Sequence, residues 1–386
     1  MQKIYFDHAA TTPLDKRVLD KMLPYFTEVF GNANSQHFFG RDSVKAVDTA
    51  RDTIASLIDA KPSEIYFTSG GTEADNWALR GTAQALKDKG NHIILSPLEH
   101  AAMITTVKEL EKQGFTYSFM KVDEYGVVDT EELKNQITDK TILVACMYAN
   151  NEVGTIEPIK EIAKIAHERG VLCFTDAVQA AGAIKLSVKD LGVDMLSFSA
   201  HKFYGPKGIG ALYIRNGLRI ASIITGGHQE RTKRGGTTNV PSIVGFAEAF
   251  KIANEELEEN AKYVTMLRER FINGVTEKIK GVKLNGHRTQ RLPANADFSF
   301  EYIEGESILF SLDLAGIAVS SGSACSSGSL EPSHVLLALG LPEELAHGSI
   351  RFSFGKHNTI EEVDYAITVL SETVERLRKM SPLYKG

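Results

Sequence analysis

The sequence predicts an α/β fold, in which a largely parallel sheet is covered by helices on both faces and a smaller α+β unit follows it. Three observations carry this. Between about residues 41 and 215, helical patterns alternate with short apolar runs. A long, charged, helix-forming stretch then covers about 241–280, with no proline after its start. Beyond it the apolar runs are shorter, as in a small mixed domain. A chain of 386 residues accommodates about two to three domains, or a large one with a smaller partner.

Taken in order, residues 41–59 and 73–89 read as helices and 92–96 as a strand. Residues 101–113 read as a helix and 141–148 as a strand. A helix over 158–169 stops at Gly170, and 171–176 is the next strand. Residues 65–68 and the apolar run ending at Ser199 read as further strands. The 241–280 stretch reads as one or two helices bridging two domains, and 297–302 and 350–354 as strands of the smaller one. No Pro- or Ser-rich linker separates the halves, so the two should share an interface. No internal repeat stands out. Ligands of parallel α/β sheets bind beyond the carboxyl ends of the strands, and each chemically suggestive residue of this chain lies there.

Composition narrows the class. Hydrophobic residues at 43% and charged residues at 24% suit a soluble globular protein. A net charge of −6 without a basic cluster argues against direct nucleic-acid binding. Apolar runs fall short of the roughly 18 residues of a membrane span, and the N-terminus lacks a signal-peptide pattern, so the cytoplasm is the expected location. Three cysteines make no disulfide framework. Cys146 and Cys173 sit in apolar strand-like runs and read as core thiols, whereas Cys325 does not. The eleven histidines show no metal-ligand spacing, so no structural metal is expected.

Three motifs suggest chemistry. In Ile65-Tyr-Phe-Thr68-Ser69-Gly70-Gly71-Thr72-Glu73 a strand, a glycine turn and a helix start offer exposed amides to a phosphate. An ordinary Thr/Ser helix cap explains the same pattern. Asp176 ends an apolar strand, where it could pair with a protonated ring nitrogen or simply cap a helix. Lys202, in Ser199-Ala-His201-Lys202, leaves an apolar run and enters a turn rich in glycine (Gly205, Gly208, Gly210). A desolvated lysine can form a Schiff base, although most strand-end lysines are only solvated.

Phosphate turn, Asp176 and Lys202, in this order, resemble the anchors of pyridoxal 5′-phosphate in fold-type I enzymes of the class V aminotransferase family. More narrowly the chain is similar to class I cysteine desulfurases of the NifS/IscS type. The resemblance runs nearly end to end, through Phe6-Asp-His-Ala-Ala-Thr-Thr-Pro13, Gly31-Asn-Ala-Asn-Ser35, Phe67-Thr-Ser-Gly-Gly-Thr-Glu73, Glu99-His100 and Asn150-Asn151-Glu-Val-Gly154. It continues through Asp176-Ala-Val-Gln179, Ser199-Ala-His-Lys202, Arg234-Gly-Gly-Thr237 and Ser320-Ser-Gly-Ser-Ala-Cys325-Ser-Ser. It implies a large cofactor-binding domain over 15–255 with a mainly parallel seven-stranded sheet. Residues 1–14 and 256–386 would form a small domain carrying the cysteine segment. His8, Ala33, Gly71 and Gly235 depart from the usual residues of the pattern without removing a functional group.

By resemblance, Lys202 holds the cofactor through an imine, while Gly71, Thr72, Ser199 and His201 bind its phosphate. Asp176 pairs with the ring nitrogen, Gln179 bonds the ring hydroxyl, and His100 stacks on the ring and assists proton transfer. Thr237 reaches the phosphate of a neighbouring subunit, which implies a homodimer. Asn151, also near the cofactor, and Arg351 hold the substrate carboxylate, a task suited to the planar guanidinium fork. The C-terminal segment from Arg376 is similar to tails that dock an iron–sulfur scaffold protein of the IscU type, though a frayed terminus reads the same way.

Cys325 lies among Ser, Gly and Ala, with nothing apolar to pin it to a core. A mobile nucleophile fits that setting, and so does a flexible linker with an incidental thiol. The expected activity is conversion of L-cysteine to L-alanine, with sulfur carried as a persulfide on Cys325 to iron–sulfur scaffold or tRNA-thiolation acceptors. A selenocysteine lyase-like enzyme or another class V enzyme is the alternative, and either would leave Cys325 without a purpose. A non-catalytic docking platform, with Cys325 only a transient iron–sulfur ligand, would leave Lys202, Asp176 and His100 without one.

Overall fold

The computed structural model of the chain describes residues 3–321 and 331–384. Among these, the first strand, β1 (Ile4–Tyr5), belongs to a small two-stranded sheet. The next seven build the central sheet: β2 (Ile65–Thr68), β3 (His92–Leu95), β4 (Thr116–Phe119), β5 (Thr141–Ala145), β6 (Leu172–Asp176), β7 (Met195–Ser199) and β8 (Gly210–Ile214). Their order is β2-β8-β7-β6-β5-β3-β4, parallel except for β8, which runs against both its neighbours. This is the mainly parallel seven-stranded sheet that the sequence led us to expect.

Strands β5, β7 and β8 are buried along their whole length, which is why they read as continuous apolar runs. Alternate residues feed two cores. Leu196 and Phe198 join Ile54, Phe246 and Phe250 on one face, and Phe174 and Met195 join Trp77, Leu79 and Met103 on the other. Helices Phe38–Leu57 and Val240–Glu255 therefore cover the first face, and Gly71–Leu86 and Ala101–Glu111 the second.

The charged stretch after residue 240 is two helices, Val240–Glu255 and Leu257–Lys278, with Glu256 between them. The first buries Phe246 and Phe250 in the large core, and the second buries Phe271 in another. That other core lies on a three-stranded antiparallel sheet of β9 (Val282–Asn285), β10 (Asn295–Phe300) and β12 (Ser349–Ser353), ordered β12-β10-β9. Strand β11 (Ile317–Ala318) pairs with β1. Strand β10 starts two residues before the apolar pattern suggests, because Asn295 already pairs with Ser353. It ends before Tyr302, whose φ of 68° leaves the extended region. No helix among the described residues is long and apolar enough to cross a membrane.

Candidate active site

Pairing across the sheet aligns the functional strand ends. Gly210 opens β8 opposite Thr68 of β2 on one side and Ser199 of β7 on the other. A Cβ on Gly210 would come within 2.7 Å of the Phe198 carbonyl and 2.9 Å of the Gly70 backbone, so the turn after β2 can sit this close only over glycine. The helix Gly71–Leu86 leaves that turn with no side-chain cap on its first amides. Glu73 instead takes the Ser69 amide at 2.9 Å and pairs with Arg234, also at 2.9 Å. Thr72 follows in the first turn of that helix, and Ser199 Oγ would lie 3.9 Å from a Cβ on Gly70. His201 Nδ1 is 3.1 Å from Thr11 Oγ1, and burial beside Lys202 and Lys207 pushes its pKa down to about 4. Thr237 lies on the outer side of this turn, exposed, in a surface depression shared with Ser69 and Arg234.

Asp176 ends β6 and is buried, with its Oδ1 accepting the Val178 amide at 2.8 Å. It thus caps the turn that follows, as the simpler reading of the sequence allows, and faces the site as well. Burial raises its pKa, while His100 and Lys202 pull it down. Two more buried acids stand nearby. Asp75, from the helix Gly71–Leu86, accepts a hydrogen bond from Ser197 Oγ at 2.6 Å, and Ser197 is the register partner of Asp176. Glu99 accepts the Met147 amide at 2.6 Å and leaves its other oxygen without a protein partner. Burial drives both carboxyls well above the usual range, and the charge of Asp176 adds to it. His100, the N-cap of Ala101–Glu111, accepts the Ala102 amide on Nδ1 at 3.1 Å. Its neutral ring therefore carries the proton on Nε2, and burial lowers its pKa.

Lys202 sits in the short 3₁₀ turn after β7 and meets the N-terminal segment. Its Nζ donates to the carbonyls of Ala9 at 2.5 Å and Ala10 at 2.9 Å. Gln179 Nε2 donates to the same Ala9 carbonyl at 3.0 Å. Residues 6–12 form a strap across the site. Phe6 bonds the Ala318 carbonyl, the Ala9 amide bonds Ser353 Oγ, and Thr12 bonds the His201 carbonyl.

At the other end of the strap stands Arg351 on β12, 3% exposed along its side chain. Its Nη1 donates to the Asn151 carbonyl at 3.0 Å and its Nη2 to Asp7 Oδ1 at 2.9 Å, while Nε is buried without a protein partner. Asn151 is itself buried. Cys325 lies outside the described residues, but both flanks of its segment are tied to this site. Ser320 exchanges two backbone hydrogen bonds with Arg351, at 2.7 and 3.2 Å. On the far side Ser333 Oγ bonds Glu152, and His334 Nε2 lies 3.0 Å from the Glu99 carbonyl.

Asp176, His100 and Lys202 thus lie close enough to shift one another's titration, Gln179 shares the Ala9 carbonyl with Lys202, and Arg351 pairs with Asn151 at the other end of the strap, with Thr237 apart from them. The class V aminotransferase model matches residues 4–366. The chain belongs to the class V aminotransferase family. Among curated members, cysteine desulfurase IscS of Clostridium botulinum is 51% identical over 386 residues, covering 100% of this chain and 97% of that one. A solved NifS-like protein superposes with a TM-score of 0.92 at 41% identity, covering 97% of this chain and all of the other. A solved structure of SspA in complex with cysteine gives a TM-score of 0.82 at 34% identity over 93% of this chain and all of that one. The fold is that of the pyridoxal-phosphate-dependent transferases. A class V cofactor fits the residues present, since uncapped helix amides suit a phosphate and a buried acid suits a ring nitrogen.

Sequence reading passed over Asp75, Asp7 and His334. The available signal for Asp75 is its place three and four residues before Ala78 and Leu79, on the apolar face of the helix. For Asp7 and His334 the pairing becomes visible only with the fold.

Proposed function

We propose that this chain is a pyridoxal 5′-phosphate-dependent cysteine desulfurase. It converts L-cysteine to L-alanine and passes the sulfur on as a persulfide of Cys325. The observation that carries this reading is the anchoring of the cysteine segment. Ser320 is held on Arg351, and Ser333 and His334 are held beside Asn151 and His100. Cys325 is five residues beyond Ser320, a span of at most about 18 Å. A tether of that length allows a thiol at this position to meet a substrate whose carboxylate lies on Arg351.

The bound cofactor supplies an electron sink for the charge developed at the substrate α-carbon. The chain supplies the rest. Gly71, Thr72, Ser199 and His201 hold the phosphate, and Asp176 and Gln179 orient the ring, with Asn151 beside it. Arg351 and Asn151 hold the carboxylate, and the Lys202 amine takes the α-proton. His100, neutral with its proton on Nε2, lends a proton where charge develops. The Cys325 thiolate then attacks the substrate sulfur. An S–S bond forms as the C–S bond breaks, its electron pair stays with carbon, and protonation gives L-alanine.

The working unit in this reading is a homodimer, with Thr237 completing the partner's phosphate site. An exposed aromatic cluster of Phe30, Phe38 and Phe39, with ring centroids 4.3 and 5.3 Å apart, gives an apolar face to bury. Residues 15–255 are read as the large domain, and 1–14 with 256–386 as the small one. The acceptors are iron–sulfur scaffold proteins of the IscU type in the cytoplasm.

Alanine and sulfide release from L-cysteine with a reductant, compared between the parent and Cys325→Ala, tests the reading. The parent makes both. The variant keeps the visible absorbance of the cofactor bound at Lys202 and loses nearly all turnover. Equal turnover by the variant would replace the desulfurase with a lyase or transaminase.

A further inference from the structure

We propose that Asp7 is a resident counter-ion that competes with amino-acid carboxylates for Arg351 and so sets how tightly substrate and product are held. The inference rests on the reading of Arg351 as the carboxylate clamp. A guanidinium 97% buried cannot stand uncompensated while the site waits for substrate. Asp7, with Oδ1 2.9 Å from Nη2, supplies the charge.

Other acids face the same guanidinium, and they are poor substitutes. Asp297 lies opposite Arg351 in the β10–β12 register, and Glu152 follows Asn151. Burial pushes Asp297 up to about 7 and Glu152 to about 8, so neither is a full anion near neutral pH. Asp7 differs in being 19% exposed, and its carboxylate can turn to water when another anion takes its place. The backbone around it cannot follow, because the Ser353 amide bonds the Phe6 carbonyl at 2.8 Å and the Ala9 amide bonds Ser353 Oγ at 2.9 Å. Competition is confined to one side chain.

The chemistry gives the competitor a use. L-cysteine and L-alanine carry the same carboxylate, so a clamp that held one tightly would retain the other and slow each turnover. A built-in anion lowers the affinity for both and leaves discrimination to the sulfur.

Equilibrium binding of L-alanine to the cofactor-loaded dimer, read from the visible absorbance, tests this in Asp7→Asn and Arg351→Gln. Ethylamine, which lacks the carboxylate, is the control. Asp7→Asn keeps an acceptor oxygen and removes the charge, and we expect it to bind L-alanine about tenfold more tightly with ethylamine unchanged. Asp7→Ser serves the same purpose if the first variant does not fold. Unchanged or weaker L-alanine binding in the charge-removed variant, with Arg351→Gln weakened, overturns the counter-ion role alone. L-alanine binding by Arg351→Gln as tight as that of the parent overturns the clamp reading beneath it.

Discussion

Ser197 Oγ and Asp75 Oδ1 meet across 2.6 Å directly beside the position where Asp176 leaves the sheet. One buried acid is thereby tied to the strand that neighbours another. Three carboxyls, Asp75, Glu99 and Asp176, share this low-dielectric region, and they cannot all be ionised. Asp176, opposed by His100 and Lys202, is the best placed to keep its charge.

Asp75 should therefore behave as a neutral acid. Its native pKa is raised, so it contributes stability that is full below the unfolded value of about 4 and is lost as pH rises toward the native one. Asp75→Asn lacks that loss. Denaturant unfolding between pH 4 and 8 should show the Asn variant gaining on the parent as pH rises. Asp75→Ala also lacks that loss but leaves the Ser197 hydroxyl unpaired, so it should cost about 1–3 kcal/mol at pH 4 and less as pH rises.

His100 moves the other way. Its native pKa is lowered, so its stabilising contribution is present above the unfolded value of about 6.5 and is lost as pH falls toward the native one. His100→Gln should flatten the acid limb of the stability profile. It should also reduce kcat for alanine formation by about 10²–10⁴-fold, as expected for a displaced proton donor. A variant that kept full kcat would remove His100 from the proton path.

Phe271 is the hub of the second core, with ring centroids 4.4 Å from Phe352, 5.5 Å from Phe354 and 6.1 Å from Phe298. Phe271→Ala should destabilise the protein by about 3–5 kcal/mol, measured by chemical unfolding.

Glu230, Arg231 and Thr232 hold left-handed φ values of 44°, 56° and 67° in succession. Glu230 and Arg231 are fixed there, by a bidentate pair with Arg51 and by the Ile65 carbonyl. Thr232 is exposed, and its hydroxyl donates to the adjacent Arg231 carbonyl. Thr232→Gly should therefore stabilise the fold, by about 0.5–1 kcal/mol, seen as a higher Tm.

The parts of the fold that were legible were those with apolar periodicity. β5, β6 and β7 read as strands because they are buried on both faces, and the turn after β2 reads as a turn because of Gly70 and Gly71. Edge strand β4 (Thr-Tyr-Ser-Phe) and strand β9 (Val-Lys-Leu-Asn) are part-exposed and polar at alternate positions, so they gave no comparable signal. In the site, Lys202, Asp176 and His100 each follow or adjoin a strand end and could be singled out by local pattern. The contact of Asp7 with Arg351 links residues 344 positions apart, and nothing local announces it. The same holds for Ser333 on Glu152, whose partners acquire their meaning only when the flanks of the cysteine segment are folded back.

The strap has a consequence for biosynthesis. Residues 6–12 find their hydrogen-bond partners at Ala318, Arg351 and Ser353, more than 300 positions later in the chain, so they are made long before those partners. The central sheet can be complete while this first segment still lacks its seat, and Ala9 and Ala10 are not fixed over Lys202 until β12 has been made. A chain cut before β12 keeps the sheet and Lys202, and it lacks the partners that seat the strap over that lysine.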